Sequence, residues 1–485
     1  MPVYFRLSLF PAIIVAAFCL FYVVKRANTL SITHDEAYTY QIFHGNESVK
    51  NTANHHILNT YLMQAFSKLF GENKFVLRLP NLIALLVYLI FGYLIFLRLQ
   101  NQWLIIAAYV SLNLNPFLLG FFGLARGYGL SIAFMTAGIW MLLRYLESDT
   151  DQRSKKRFLY GTFICSALAV LSNFMALYLY LGLLSILFFF ELKKENGNKM
   201  GVTFRKNWLF YLLNFSFLLF VLASVVRLGA NHQLYYGGNV GFYSDTITSV
   251  VEPVIFDNPS FLSHALLHMH FLVNLVVVIF IIATLLFLSQ ALTKKISSEF
   301  FIFYYLLCFS SLIPVLSWLV MHTLLPVFRT ALAYYPLFIF LLFFLMKELL
   351  ESKKKIVRSS VLVFSACLLS AFVINMAKAA NFKNTFDWQY DADDERMMQS
   401  LQEDVNKRSL KGPVSLGINW VFEPGINYYR ESGKLSWLKP VNRDGYDSDE
   451  FDYFYIFTDD FFKKASGIKV DTVRQFESTI LLRKK

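Results

Sequence analysis

Residues 275–288 read LVVVIFIIATLLFL and residues 181–190 read LGLLSILFFF, with no charged side chain in either. Extended to about 20 residues, such a run crosses the hydrocarbon core of a bilayer. Comparable runs fall at roughly 7–24, 79–99, 103–120, 128–146, 158–172, 174–191, 207–227, 271–292, 300–320, 331–347 and 358–377, eleven candidate spans. Residues 158–190 are read as two short tilted helices that turn at Ser172-Asn173. The composition is 56% hydrophobic and 16% charged, against about 45–50% and about 25% in soluble proteins. A soluble enzyme, a disordered tail and a fibre are thereby excluded. The prediction is an α-helical polytopic membrane protein of about 11 transmembrane helices. Leu7–Val24 is followed by Lys25-Arg26 without a small-residue cleavage site, so it reads as a retained span.

The net charge of +12 does not indicate nucleic acid, because of where it sits. Residues 379–485 carry 16 Lys+Arg and 18 Asp+Glu, so the excess lies in the first 378 residues. There it concentrates in short loops such as 153–157, 193–206, 294–295 and 347–358, while 228–270 holds no Lys or Arg. The positive-inside rule puts the basic loops in the cytoplasm. Two regions then share the outer face: the first loop, 25–78, and a soluble extracytoplasmic domain, 379–485. The second, with strand-like runs at Val414–Ile418, Tyr453–Thr458 and Ile480–Leu482 and a helical run at Asp394–Val405, reads as a small α/β domain. Cys19, Cys165, Cys308 and Cys367 all lie in apolar runs, without CxxC spacing, and read as buried hydrophobes.

Chemistry-bearing residues cluster at the outer ends of the spans. His34-Asp35-Glu36 follows the first span closely. Acids at a membrane edge are functional candidates, and a carboxylate there can take a proton from a hydroxyl. Asn54-His55-His56 leads into Ile57–Phe70, a helical pattern too short and polar to span, which stops at Gly71 and lies along the interface. Arg126 and Arg329 are lone cations between apolar runs; a phosphate would repay their placement, and snorkelling to lipid headgroups is the plainer account. His264 and His268 have i,i+4 spacing, with His270 close by, but no Cys or Asp completes a zinc set. No residue is assigned to a metal; a divalent cation stays open as a cofactor.

In order, Asp35-Glu36-Ala37-Tyr38, Asn54-His55-His56, Lys68 to Pro80 (KLFGENKFVLRLP), Ala125-Arg126-Gly127-Tyr128 and Phe328-Arg329 form a pattern. It resembles the GT-C glycosyltransferases of the protein O-mannosyltransferase and lipid A aminoarabinose transferase type, over roughly residues 1–350. The resemblance implies a glycosyltransferase of the plasma (inner) membrane that moves a hexosyl or pentosyl group from a polyprenyl-phosphate donor to an acceptor hydroxyl on the outer face. Glycan, lipid or protein acceptors fit this scheme. The resemblance maps the catalytic base to Asp35, with Glu36 as its supporting neighbour, and the donor phosphate to basic residues near the membrane edge. The chain departs from relatives that carry Arg two positions after the Glu, where it has Tyr38, and from those with His-Pro-Pro or Lys-Pro-Pro, where it has His55-His56-Ile57. Phosphate binding then shifts toward Arg126.

The residues fit that chemistry on their own terms. A sugar held through phosphate at its anomeric carbon already has a leaving group, so the enzyme needs one base and cations for the departing phosphate. Asp35 could supply the first, and Arg126 with His55 or His56 the second. Single displacement inverts the anomeric configuration. No Gly-rich nucleotide loop is present, which suits a lipid-linked donor. The alternative is a transporter or lipid flippase, which would place charges near the bilayer midplane; a non-catalytic scaffold with a partner-binding outer domain is a third.

Overall fold

The computed structural model describes residues 3–45, 52, 55–147, 152–194, 207–255, 265–293, 297–410, 412–443, 445–446, 450–461 and 469–485. Every one of the eleven apolar runs is helical. Among the described residues, seven helices are long and apolar enough to cross a membrane: Leu7–Thr29, Lys74–Leu99, Gly127–Glu147, Trp208–Ala230, Met269–Leu292, Ser298–Met321 and Lys355–Ala379. The run expected at 103–120 is broken into Gln102–Asn113 and Pro116–Phe122, bent by 66°. Counting that pair as one gives eight, against the eleven read from the sequence. The other three runs fall short of about 20 apolar residues. Gln152–Ser172 opens on a basic turn, Phe174–Phe190 is a shorter apolar helix, and Tyr334–Leu350 has 17 residues.

The break has a local cause. Proline lacks an N–H and disfavours the α conformation in the residue before it. Asn115 is accordingly extended, and its side chain accepts from the Leu118 N–H, restarting the helix with Pro116 in its first turn. The short second piece delivers Leu124, Ala125 and Arg126 into the protein, where all three are buried. At the next residue the chain runs against Asn173's neighbour: a Cβ on Gly127 would lie 1.9 Å from the Ser172 carbonyl oxygen and 2.8 Å from the His56 Cβ. Glycine is required there by close approach.

The first loop is mostly helix. His34–Phe43 starts from a capping box in which the Thr33 hydroxyl accepts from the Glu36 N–H and the Glu36 carboxylate accepts from the Thr33 N–H. Ile57–Phe70 follows and stops at Gly71, with the bounds the pattern predicts. Three of its polar side chains, Asn59, Thr60 and Ser67, face inward and are buried, while Tyr61, Lys68, Leu69 and Phe70 are exposed. That inversion suits a helix bedded in the membrane interface.

After Lys355–Ala379 the composition turns ordinary and a small α/β unit forms. Its four-stranded sheet has the order β1-β2-β4-β3, with β1 Leu416–Ile418, β2 Tyr453–Phe457, β3 Val470–Gln475 and β4 Thr479–Lys484. β1 and β2 are parallel; the other pairs are antiparallel. Helices Asp394–Arg408 and Glu423–Ser432 complete its core. The unit closes on the first loop. The His34 N–H donates to Asp391 Oδ2 (2.7 Å), the Ile32 N–H to the Tyr429 hydroxyl (2.8 Å), and Lys74 pairs with Glu395.

Gly127→Ala should lower stability by about 3 kcal/mol, the upper end for overpacking, because backbone rather than a flexible side chain stands in the way. Thermal unfolding of the purified protein in detergent checks this.

Candidate functional site

The capping box fixes the first turn of His34–Phe43, so two consecutive carboxylates leave the helix in different directions. Glu36 turns into the protein. Arg78 clamps it bidentately, Nε to Oε1 at 2.8 Å and Nη2 to Oε2 at 2.7 Å. The Ala125 N–H donates to Oε1 at 2.5 Å, and the Thr33 N–H and hydroxyl donate to Oε2 at 2.9 and 3.1 Å. Burial alone would push this carboxyl up, but Arg78 and the two backbone donors hold it below the usual carboxylate range. Arg78 spends its remaining N–H groups on the carbonyls of Ala27, Leu30 and Ser31. Glu36 is thus saturated by structural partners, consistent with a supporting role.

Asp35 faces the other way, with its side chain 6% exposed, between two guanidinium groups. Arg126 Nη2 lies 3.4 Å and Arg329 Nη2 4.0 Å from its Oδ2. Arg126 is fully buried. Its Nη1 donates to the Asp35 carbonyl and the Thr39 hydroxyl, both at 3.1 Å, and its Nη2 meets His56 Nε2 at 2.9 Å. The other His56 nitrogen, Nδ1, donates to the Ser172 carbonyl at 2.8 Å, which leaves Nε2 as acceptor for Arg126. Burial first, and the Arg126 charge second, hold His56 well below the usual imidazole range, so it stays neutral. His55 sits beside it, half-buried. Arg126 therefore anchors the Asp35 backbone as well as facing its carboxylate.

Arg329 is more open, at 16% exposed. It stands on the 3₁₀ turn Phe328–Ala331, just before the helix Tyr334–Leu350. Its Nη1 lies 3.3 Å from Asp387 Oδ1, and the rings of Tyr236 and Trp388 cover it at 4.2 and 5.2 Å. Gly238 and Leu325 exchange backbone hydrogen bonds and so bring the Tyr236 loop to this turn. Burial pushes the Asp387 carboxyl up, with Arg329 opposing. Asp35, His56, Arg126 and Arg329, four of the six residues singled out in the sequence, thus converge; Asp387, Tyr236 and Trp388 join them without any local sequence signal. Glu36 did carry one, since Thr33-x-x-Glu36 is a capping-box pattern.

A separate apolar cavity of about 430 Å³ opens among the helices. Val250, Val254, Val276, Phe280, Tyr334 and Phe372 are among its walls. Tyr334 follows Arg329 by five residues, so the charged cluster and the cavity are consecutive features of one stretch of chain.

Of the histidines considered for zinc, His264 lies outside the described residues, as does the side chain of His268, and His270 is exposed at the start of a span. Among the described residues no three His, Cys, Asp or Glu side chains gather where a metal ion could be held.

A family model described as dolichyl-phosphate-mannose-protein mannosyltransferase matches residues 54–226. The fold is similar to that of ArnT from Cupriavidus metallidurans. The apo structure aligns with a TM-score of 0.52 at 9% identity, and the structure bound to undecaprenyl phosphate with 0.52 at 8%; each alignment covers 97% of both chains. An oligosaccharyltransferase from Archaeoglobus fulgidus, in complex with zinc and sulfate, aligns with a TM-score of 0.49 at 13% identity, over 93% of this chain and 69% of the other. No curated protein sequence matches. The chain has the GT-C fold of multi-pass membrane proteins.

Two outcomes test this geometry. Glu36→Gln leaves the buried Arg78 without its counter-charge and should cost about 3–5 kcal/mol, read by thermal unfolding. His56 binds a proton less readily folded than unfolded, so stability should fall as pH drops below about 6.5. Burial gives His34 the same sign. His56→Gln retains an acceptor for Arg126 and a donor for Ser172 but cannot titrate. It should therefore flatten part of that slope in melts recorded against pH.

Proposed function

We propose that this GT-C-fold protein is an integral membrane glycosyltransferase that moves a sugar from a polyprenyl-phosphate donor to an acceptor hydroxyl. The observation that carries the reading is a carboxylate, Asp35, set between two guanidinium groups, one of them five residues before Tyr334 in the wall of an apolar cavity. Each part matches one part of such a donor. The polyprenyl tail takes the cavity, the phosphate takes the cations, and the sugar lies toward Asp35. ArnT, whose fold this chain shares, has been seen with undecaprenyl phosphate bound.

The catalytic step follows from the groups present. The acceptor oxygen attacks the anomeric carbon from the face opposite the phosphate. Its proton passes to Asp35, and the bond from the anomeric carbon to the phosphate oxygen breaks, leaving the electron pair on polyprenyl phosphate. Displacement in line inverts the anomeric centre. Arg329, the more exposed guanidinium, takes the phosphate, while Arg126 chiefly holds Asp35 in place. This assigns to Arg329 much of the role that the sequence pointed toward Arg126; the physical reason is that Arg126 is buried and already engaged with Asp35, Thr39 and His56. When the donor phosphate draws the cations toward itself, Asp35 is left with less competition for the acceptor proton.

The same reading treats 1–378 as the transmembrane catalytic portion and 379–485 as an outer-face unit completing the site. The hydrogen bond from the His34 N–H to Asp391 supports reading the first loop and this unit as sharing one side of the membrane. The basic loops support an extracytoplasmic side, and the resemblance to the glycosyltransferases implies the plasma membrane.

Product analysis by mass spectrometry, comparing cells with and without the gene, tests the activity; a sugar-bearing product lost with the gene is expected. Asp35→Asn should reduce transfer by about two to four orders of magnitude while donor binding persists. Full turnover by the purified variant would remove Asp35 from the mechanism. Arg329→Ala should weaken polyprenyl-phosphate binding more than Arg126→Lys does, read as Kd.

A further inference from the structure

Asp387 has features that an ion pair with Arg329 does not explain. Its side chain is 6% exposed, and Oδ1 faces Arg329 Nη1. Its second oxygen, Oδ2, is buried with no hydrogen-bond partner. A buried acceptor without a donor costs free energy that the empty molecule does not recover. Orphaned polar atoms of this kind persist where something arrives to satisfy them.

Its place is specific. One guanidinium joins it to Asp35, because Arg329 presents Nη1 to Asp387 and Nη2 to Asp35. The neighbouring residue, Trp388, is a buried ring that with Tyr236 frames the same guanidinium. A sugar with its anomeric carbon at Asp35 would place ring substituents near that frame. Asp387 belongs to the segment after the last span, beyond residues 54–226 matched by the family model.

We propose that Asp387 contacts the transferred sugar: its unpartnered carboxylate oxygen accepts a hydrogen bond from a ring hydroxyl or an amino substituent and so fixes which donor is used. The inference rests on the glycosyl-transfer reading above. Charge-assisted hydrogen bonds of this kind separate bound from unbound substituents by about 10- to 100-fold.

The test measures Kd for three lipids with the full-length protein in nanodiscs: undecaprenyl phosphate, undecaprenyl phosphate bearing a hexose, and the same lipid bearing an aminopentose. Wild type should bind at least one sugar-bearing lipid more tightly than the bare one. Asp387→Asn should remove that preference, about 10-fold or more, without weakening bare undecaprenyl phosphate, since it frees Arg329 of a competing carboxylate. A larger loss for the aminopentose lipid identifies an ammonium partner, and an equal or larger loss for the hexose lipid a hydroxyl. Equal weakening of all three lipids would mean that Asp387 only holds Arg329, and would overturn the proposal. So would a preference that survives the substitution, as expected if Oδ2 merely faces a water in a second, small cavity that Asn384, Thr385 and Asp387 line, or a wild type with no preference. Binding of none of the three by wild type would instead refute the glycosyl-transfer reading. Should Asp387→Asn fail to fold, Asp387→Glu, which keeps the ion pair and displaces the second oxygen, is measured in its place.

Discussion

Four separate pieces of chain meet at the Glu36–Arg78 pair. The pair is fully buried, and its strength comes from completeness, since desolvated charges repay their cost only when every donor and acceptor is used. Arg78 gathers the carbonyls at the end of the first span, Glu36 starts the helix that carries Asp35, and the Ala125 N–H brings in the residue before Arg126. Asp35 and Arg126 are therefore positioned by the bonds of their immediate neighbours. One fully buried ion pair thus sets the spacing of the Asp35–Arg126 pair beside it.

The site divides its cations by exposure. Arg126 is sealed among Asp35, Thr39 and His56, and neutrality of His56 keeps that packing from accumulating a second positive charge. Arg329 rests on a short turn between aromatic rings and is more open to solvent. One guanidinium is framework and the other is available to an incoming anion.

Much of this was readable in the sequence, for local reasons. The apolar runs mark the helices, and Ile57–Phe70 ends at Gly71 because glycine follows a regular pattern there. The bend at Asn115-Pro116 was missed because a hydropathy average runs straight through it, although the dipeptide signals it. β3 was missed because VDTVRQ is a polar strand that alternates weakly. Asp35 stood out beside the first span, whereas Asp387 and Tyr236 acquire meaning only when loops far apart in sequence meet at Arg329. No local spacing encodes that meeting. Arg329 was accordingly ranked below Arg126, since a lone arginine gives no hint of how thoroughly its neighbours occupy it.

The bond from the His34 N–H to Asp391 spans 357 residues of sequence. During synthesis the first loop emerges early, but the partner that fixes the start of its helix is translated only after the last span. Until then the start of the Asp35 helix has its capping box and Arg78 but lacks that tether, and Arg329 lacks Asp387. The last contacts of the cluster therefore come from chain that follows the last span. A chain ending before residue 387 would lack both the Asp387 and Trp388 partners of Arg329 and the Asp391 tether of the first loop.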